Sequence, residues 1–367
     1  MKTIISIERI GLEGQGVGYD SNKNIYFVPG GVPGDEVEVE VAEGARRYRD
    51  ARILNFVRRS PHRREPECAY FKKCGGCDWL DWDYPEQLKS KEKILLHLLE
   101  KNQMMPEIFH PILGAERQLG YRNRIQLRSA DGKLGFYARQ SHEIVDIESC
   151  AVAHPKLNEE LTKWREKLMS QSEPQKLELA VDDVGGVGYW QNVPHSAAGF
   201  GQVHFEQNQK LQRIVAEQVA DVEANSVLEL YCGNGNLTFP ALGTTKRWLG
   251  IDSNGSALRA ARDKSTDARV QFLKGFVGPV LPHRLPDDWK NGYDCLVLDP
   301  PRQGIGSVGD WMHEGLKSIV YVSCNPLQFV KEVTQMKKEF RLKQVQPLDM
   351  FPQTRHIEFI ATLVRVC

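Results

Sequence analysis

The chain has 367 residues, too many for one ordinary hydrophobic core, so we expect two or three domains. Its 41% hydrophobic and 26% charged residues are typical of a soluble globular protein, and no apolar run is long enough to cross a membrane. The net charge is zero, so the overall charge of the chain does not indicate a nucleic-acid partner.

The amino-terminal segment 1–8 alternates apolar and polar side chains. This alternation predicts a β-strand rather than a signal peptide. Without an export signal we expect a cytoplasmic protein with no membrane partner. Stable disulfides are rare in that compartment, so the eight cysteines need another explanation.

Residues 1–60 are predicted to form an all-β domain, because turn signals separate short runs that favour strands. The predicted strands cover residues 3–10, 24–28, 36–42 and 51–57. Several short strands at this spacing indicate a small barrel, consistent with one that binds oligonucleotides. With its stretches 11–18 and 28–35, the region resembles the TRAM domain, a small RNA-binding barrel.

An arginine-rich segment lies at the end of this barrel. Its members are Arg46, Arg47, Arg49, Arg52, Arg58, Arg59, Arg63 and Arg64, with only Asp50 against them. A polyanion would be attracted to such a segment. A solvated basic face explains the run equally well.

Three cysteines, Cys68, Cys74 and Cys77, lie within ten residues of one another. The glycine pair between the last two lets the backbone fold back, so that several thiolates meet at one centre. A fourth thiolate is needed, and Cys150 is the best candidate. Four cysteines fit either structural zinc or an iron–sulfur cluster. Only one C-x-x-C pair is present, so the spacing favours a four-iron cluster.

Residues 84–101 carry apolar side chains at near-helical spacing, which predicts a helix. Residues 121–128 alternate as in a half-exposed strand, which places Arg122, Arg124 and Arg128 on one face. These arginines form either a row of phosphate contacts or an ordinary solvated sheet face.

From about residue 200 strands and helices alternate, which implies a parallel sheet. Residues 226–236 read as a strand, a Gly-rich turn and a helix, and the turn matches neither G-x-G-x-x-G nor a phosphate loop. One strand later, Asp252 stands where an acid binds ribose in nucleoside-binding sheets. This combination suits an adenosine cofactor without pyrophosphate, and S-adenosylmethionine fits. A generic tight βα turn is the alternative.

Two further buried strands end in residues that carry chemistry. One ends at Asp299 before a proline pair, which holds the loop rigid. The other covers residues 318–326 and delivers Cys324 to the carboxyl edge of the sheet, where ligands bind in open α/β sheets. Taken alone, Cys324 is a small buried hydrophobe. The acids Asp252, Asp299 and Glu358 favour a catalytic thiol instead.

Five motifs occur together and in order along the chain. They are Cys68/Cys74-Gly-Gly-Cys77/Cys150, Tyr231-Cys-Gly-Asn-Gly-Asn236, Asp299-Pro-Pro-Arg302, Val322-Ser-Cys324-Asn-Pro326 and Met350-Phe-Pro-Gln-Thr-Arg-His-Ile-Glu358. With them the chain resembles the RNA uracil-5 methyltransferase family, in its form with a TRAM domain and a four-iron four-sulfur cluster. The likeness covers nearly the whole chain.

The resemblance implies an α/β fold with a Rossmann-like class I S-adenosylmethionine methyltransferase domain. It adds an OB-like TRAM β-barrel and a central α+β iron–sulfur domain. We therefore expect the TRAM-like barrel at 1–60, the central iron–sulfur and RNA-binding domain at 61–199 and the methyltransferase domain at 200–367. The resemblance also suggests that the helix at 84–104 packs on the methyltransferase domain.

The resemblance also assigns roles to residues. Cys324 would be the nucleophile that adds to uracil C6, so that C5 can attack the sulfonium methyl group, and Glu358 would be the base that removes the C5 proton. The implied cofactor contacts are Gln202, Tyr231, Asn236, Asp252 and Asp299. The implied cluster ligands are Cys68, Cys74, Cys77 and Cys150. Arg302 would steady the loop that follows Asp299.

Three positions depart from the family pattern. His204 stands where the family usually has Asn, and Tyr231 and Asp252 replace a common Phe and Glu. The spans 150–200 and 252–293 are short, so the family's substrate contacts are not transferred to them.

The sequence therefore predicts a monomeric enzyme that methylates C5 of a specific uridine in RNA through a covalent Cys–C6 adduct. The target uridine must lie in a loop or be flipped out, because a stacked base hides C6 from a thiol. 23S ribosomal RNA is favoured as the substrate, and uridine 54 of transfer RNA is the alternative.

The same residues distinguish this function from three others. A noncatalytic RNA-binding protein of this fold would not need the intact Cys324 and Glu358. A cytosine-5 enzyme commonly has a second cysteine near the proline pair, where this chain has Arg302. A protein-glutamine methyltransferase has Asn before its proline pair, where this chain has Asp299.

Overall fold

The computed structural model describes residues 2–41, 48–168, 171, 173–193 and 201–366. The chain divides into two units. The first comprises Met1–Ile94, Glu116–Asn192 and Phe351–Arg355, and the second comprises Leu95–Ala115, Val193–Met350 and His356–Cys367. Within the described ranges, no helix combines the length and the apolar character that a membrane span requires.

The described residues form strands and helices throughout both units. The strands are β1 (Lys2–Ile10), β2 (Gly16–Tyr19), β3 (Ile25–Val28), β4 (Glu36–Val41), β5 (Tyr48–Arg58), β6 (Ile108–Phe109), β7 (Arg124–Ala130), β8 (Lys133–Tyr137), β9 (Ile144–Asp146), β10 (Gln175–Val181), β11 (Val187–Gln191), β12 (Ser226–Leu230), β13 (Arg247–Asp252), β14 (Val270–Lys274), β15 (Cys295–Leu298), β16 (Ser318–Ser323), β17 (Phe340–Leu348) and β18 (Glu358–Arg365). The α-helices are α1 (Tyr84–Lys101), α2 (Pro155–Leu168), α3 (Phe205–Asp221), α4 (Thr238–Ala241), α5 (Gly255–Lys264) and α6 (Pro326–Met336).

The first unit begins with a closed barrel in the strand order β1-β2-β3-β5-β4. Strand β4 alternates Glu and Val and buries Val37, Val39 and Val41, as the two-residue period of a strand requires. These side chains share one core with Ile5 and Tyr26. The predicted small barrel is confirmed.

Strand β2 was not predicted, because its two glycines lower the strand propensity of a four-residue segment. The packing explains one of them. A Cβ atom added at Gly18 would lie 2.5 Å from the carbonyl oxygen of Ser6 on β1. Glycine there lets the two backbones approach, which closes the barrel.

The first unit also contains a five-stranded antiparallel sheet in the order β11-β10-β7-β8-β9. Helix α2 packs on one face of it. Leu157, Leu161 and Trp164 recur at helical spacing and join Leu127 and Leu177 in a common core. The opposite face carries the polar positions of β7.

The second unit is built on an eight-stranded sheet in the order β14-β13-β12-β15-β16-β18-β17-β6. Strands β12 to β16 run parallel, and β18 runs antiparallel to β16 and β17. Strands β15 and β16 are buried at every residue, which is why their sequences are almost entirely apolar. The chain order reverses between β12 and β15, and ligands bind outside the carboxyl ends of strands at such a point.

Several predicted elements agree with the structure. The helix predicted at 84–101 is α1, and the strand predicted at 121–128 begins at Arg124. The first stretch of the first unit ends within α1 at Ile94, and the last two turns of that helix belong to the second unit. The three predicted domain ranges stay a prediction.

Candidate active site

Cys324 lies in the turn between β16 and α6, at the carboxyl edge of the sheet of the second unit. Asn325 caps α6 by accepting a hydrogen bond from the amide of Gln328 at 3.3 Å, and Pro326 occupies the first turn. The abrupt end of β16 therefore comes from its own sequence. The Cys324 side chain is only partly buried, so its thiol is within reach of a ligand at this edge.

Glu358 is the first residue of β18, and β18 pairs with β16 so that Phe359 lies opposite Ser323. This antiparallel register brings Glu358 beside Cys324 at the same edge. The Glu358 side chain is 3% exposed. Burial, together with the negative charge of Asp299, raises the pKa of its carboxyl to about 8, whereas the positive charge of Arg302 lowers it.

Asp299 follows β15 directly and reaches the edge from the neighbouring strand. Burial raises the pKa of its carboxyl to about 7. Burial also raises the pKa of the Cys324 thiol to about 12; Glu358 adds to that rise and the positive charge of Arg302 opposes it. Three strands thus bring a thiol and two carboxyl groups into one electrostatic neighbourhood, with Arg302 as the cation that favours thiolate.

Arg302 is positioned by two contacts. Its guanidinium Nη2 lies 3.0 Å from Nδ1 of His356, and its carbonyl oxygen accepts a hydrogen bond from the Asn325 side chain at 2.9 Å. The second contact joins the loop after Asp299 directly to the residue that follows Cys324.

The Gly-rich turn after β12 leaves open space beside its first glycine, Gly233. Tyr231 has a φ of 64°, in the left-handed region, and Gly233 has a φ of 56°. A Cβ atom added at Gly233 would meet no atom within 4 Å. Asp252, at the end of β13, accepts a hydrogen bond from the Gly233 amide at 2.9 Å and another from the Asn254 amide at 2.7 Å. The carboxylate of Asp252 therefore holds the turn in place.

The residues predicted to contact the cofactor differ in the contacts that they make within the protein. Asn236 exchanges two hydrogen bonds of 2.9 Å with Asn208 and accepts a third of 2.9 Å from Gln212, both on α3. Its side chain thus anchors the turn to α3. Burial raises the pKa of the Tyr231 hydroxyl to about 12. Gln202 lies just before α3 and is partly exposed.

One acid below this turn was missed from the sequence. Glu229 on β12 is 1% exposed and accepts hydrogen bonds from the Thr238 hydroxyl and, at 2.8 Å, from the Trp248 indole. Burial raises the pKa of its carboxyl to about 8. A Glu inside the apolar run of β12 was the available signal, because a buried acid needs partners.

The four cysteines predicted as metal ligands meet in the first unit. Cys68, Cys74, Cys77 and Cys150 all line one cavity of about 470 Å³. The Cys74 thiol accepts a hydrogen bond from the Gly76 amide at 3.4 Å. Burial and the neighbouring thiols raise the pKa of Cys74 and Cys77. Among the described residues, no group of three or more His, Cys, Asp or Glu side chains is arranged to hold a metal ion.

Of the arginines in the predicted basic surfaces, some lie outside the described residues and others form ion pairs within the protein. Arg46 and Arg47 lie outside the described residues. Arg63 is buried in ion pairs with Asp35 at 2.6 Å and Asp81 at 2.5 Å, so it stabilises the fold. Arg124 forms an ion pair with the buried Glu178 at 3.1 Å, which reduces its value as a phosphate contact.

Comparison with known proteins shows similarity to RNA methyltransferases and to the TRAM domain. Residues 283–366 match the family model described as tRNA (Uracil-5-)-methyltransferase, and residues 4–54 match the TRAM domain. An uncharacterised RNA methyltransferase of Bdellovibrio bacteriovorus is 32% identical over 99% of this chain and 95% of its own length. The 23S rRNA (uracil(1939)-C(5))-methyltransferase RlmD of Histophilus somni is 28% identical over 98% of this chain and 95% of its own length.

A solved structure shares the fold over the whole chain. The Pyrococcus abyssi tRNA (uracil-54, C5)-methyltransferase in complex with S-adenosyl-L-homocysteine superimposes with a TM-score of 0.75 at 24% identity, covering 99% of this chain and 100% of that one. The methyltransferase fold and the amino-terminal TRAM domain are therefore confirmed.

Proposed function

Since the chain belongs to the RNA uracil-5 methyltransferase family, in a form with an amino-terminal TRAM domain, we propose that it methylates uridine C5 through a covalent bond between Cys324 and C6. The observation that carries this proposal is the meeting of three side chains at one edge of the sheet. Cys324 and Asp299 follow the carboxyl ends of β16 and β15, and Glu358 begins the antiparallel strand β18. A noncatalytic protein has no need of a partly exposed thiol beside two carboxyl groups with raised pKa values.

The Cys324 thiol first gives up its proton to solvent. The thiolate then adds to C6 and breaks the C5–C6 π bond, so that C5 becomes a nucleophile. C5 takes the methyl group as the bond between that group and the sulfonium sulfur breaks, which leaves S-adenosylhomocysteine. Glu358 then accepts the C5 proton, the sulfur–C6 bond breaks, and the double bond forms again. A pKa of about 8 suits Glu358 for this task, because a base works best when its pKa is near the operating pH.

S-adenosylmethionine would bind at the Gly-rich turn, where Gly233 faces open space, and would supply the methyl group as a sulfonium. Gln202, Tyr231, Asp252 and Asp299 would hold it, and Asn236 would fix the turn against α3. The position of this turn beside the chain reversal between β12 and β15 supports the assignment.

A four-iron four-sulfur cluster fits the cavity lined by Cys68, Cys74, Cys77 and Cys150. Four cysteine thiolates are the usual ligands of such a cluster, and all four thiols line the same cavity of about 470 Å³. Bound there, the cluster would cross-link the loop of residues 68–77 to Cys150.

We expect anaerobically purified protein to be brown and to contain about four iron atoms and four sulfides per chain. Cys77→Ser should remove most of the colour, whereas Cys295→Ala, which changes a thiol buried in the other unit, should leave it unchanged. Metal and sulfide analysis with visible absorption measures both. Colourless wild-type protein that contains zinc would refute the cluster.

The substrate proposed is 23S ribosomal RNA, with transfer RNA as the alternative. The relative that acts on 23S rRNA supports the first, and the solved structure of the transfer-RNA enzyme supports only the shared fold. We expect cells without the gene to lose one 5-methyluridine from 23S rRNA and to keep that of transfer RNA. Mass mapping of both RNAs, with the gene restored as control, decides between them.

A further inference from the structure

Helix α6 carries a fully buried carboxylate that the proposed reaction does not use. Glu332 is 0% exposed, and both of its oxygens are occupied. Its Oε1 accepts hydrogen bonds from the Ile305 amide at 2.9 Å, the Gly306 amide at 3.1 Å and the Gln328 side chain at 2.7 Å, and its Oε2 accepts one from the Tyr321 hydroxyl at 2.5 Å.

These four donors come from three elements that meet around Cys324. Tyr321 lies on β16, three residues before Cys324, and α6 begins two residues after it. Ile305 lies in the loop of residues 302–306, which directly follows Asp299 and its proline pair. Glu332 therefore joins both flanks of Cys324 to the loop that carries Arg302.

The backbone of this loop is shaped around the carboxylate. Gly304 has a φ of +78°, and a Cβ atom added there would lie 2.0 Å from Oε1 of Glu332. The amide of Gly304 also bonds the Pro301 carbonyl at 2.7 Å. A charged acceptor that binds two successive amides and a hydroxyl is a strong restraint, and its removal leaves buried donors unpaired.

We propose that Glu332 is a positioning residue for methyl transfer, which holds loop 302–306, and with it Arg302, against the turn that carries Cys324. The inference rests on the proposed function in taking Cys324 as the nucleophile. Because Glu332 is sealed from solvent, it acts through the groups that it holds and not by touching RNA or cofactor.

The consequence for Cys324 follows from the charges that face it. Burial, Glu358 on β18 and Asp299 after β15 raise the pKa of the thiol, and Arg302 in the held loop lowers it. If the loop loosens, Arg302 loses its fixed distance from the sulfur while the two acids keep theirs. The thiol then ionises at a higher pH.

The test uses Glu332→Gln and Tyr321→Phe in the full-length protein. Alkylation of Cys324 by iodoacetamide is followed against pH by mass spectrometry of the peptide that contains it, without RNA or cofactor. At each pH below the midpoint we expect the rate of alkylation to fall by about threefold or more in both variants, which corresponds to a rise of the alkylation midpoint by about half a pH unit or more. With RNA that carries 5-fluorouridine, we expect the first-order rate of adduct formation to fall by about tenfold, with KM for RNA within about twofold of wild type.

Asp294→Asn is the matched control. The carboxylate of Asp294 also accepts two backbone amides, those of Asn225 at 3.1 Å and Ser226 at 2.9 Å, but it lies at the opposite end of β15. This variant should lower the melting temperature without moving the alkylation midpoint or the adduct rate.

A Glu332→Gln protein that melts earlier than wild type, yet keeps the wild-type alkylation midpoint and adduct rate, would show a structural role alone and overturn the proposal. If Glu332→Gln does not fold, Tyr321→Phe, which removes one hydroxyl, decides by the same two measurements. The alkylation experiment needs no RNA. If wild type forms no adduct, the proposed function fails, and the alkylation midpoint still shows whether Glu332 positions Arg302.

Discussion

Replacing Cys324 with alanine is expected to lower the rate of methyl transfer by about 10⁴-fold or more, because the reaction loses the nucleophile that activates C5. S-adenosylmethionine should bind the variant almost as tightly as wild type, since the Gly-rich turn and Asp252 are held by their own hydrogen bonds. Transfer of a labelled methyl group to RNA measures the first effect, and calorimetry measures the second.

Cys295→Ala is the matched control for this variant. Cys295 is a buried thiol at the first residue of β15, where it pairs with Ser318 at the amino end of the sheet, away from the edge that carries Cys324. We expect it to keep methyl transfer within about threefold of wild type, because it only exchanges a buried SH group for a hydrogen. Full activity of Cys324→Ala on RNA would rule out covalent catalysis by this thiol.

Replacing Glu358 with glutamine is expected to stop the reaction after methyl transfer and to lower turnover by about 10²- to 10⁴-fold. Glutamine keeps the size of the buried side chain but cannot accept the C5 proton, so the sulfur–C6 bond cannot break. Protein and methylated RNA should then remain joined in a species that survives denaturing electrophoresis.

The double variant Cys324→Ala with Glu358→Gln controls for this result. It should give no denaturant-resistant species, because the thiol that forms the bond is gone. Rapid turnover by Glu358→Gln, with no joined species at any time point, would mean that another group removes the proton.

The elements that the sequence predicted well are those whose burial follows from the local order of apolar and polar residues. The alternation of Glu and Val in β4 and the unbroken apolar runs of β15 and β16 predicted strands with one or two buried faces. The same runs placed Asp299 and Cys324 at strand ends, so both were found without the structure.

The contacts that the sequence did not predict join residues that are distant along the chain. Asn236 is predicted to contact the cofactor, which stays a prediction, and its hydrogen bonds to Asn208 and Gln212 on α3 were not predicted. Nothing in the pattern of α6 indicated that Glu332 would reach back to the amides of loop 302–306. Such pairings depend on how helices and loops pack on the sheet, which no local periodicity encodes.

The pKa values of the site were also beyond sequence reasoning. The resemblance assigned Glu358 the role of base but not its pKa, since burial and neighbouring charges decide that value. The structure supplies both, because β18 runs back beside β16 and carries Glu358 into the neighbourhood of Asp299. An antiparallel return strand therefore determines how this acid titrates.

The most direct test of covalent catalysis by Cys324 is to find the atom that bonds to RNA. Wild-type protein is incubated with S-adenosylmethionine and RNA in which 5-fluorouridine replaces the target uridine, since fluorine at C5 cannot leave as a proton does. After nuclease and protease digestion, mass spectrometry should find one methylated fluorinated nucleotide on the peptide that contains Cys324. A nucleotide on any other residue would contradict covalent catalysis by Cys324. So would the absence of any attached nucleotide while the same protein methylates ordinary RNA.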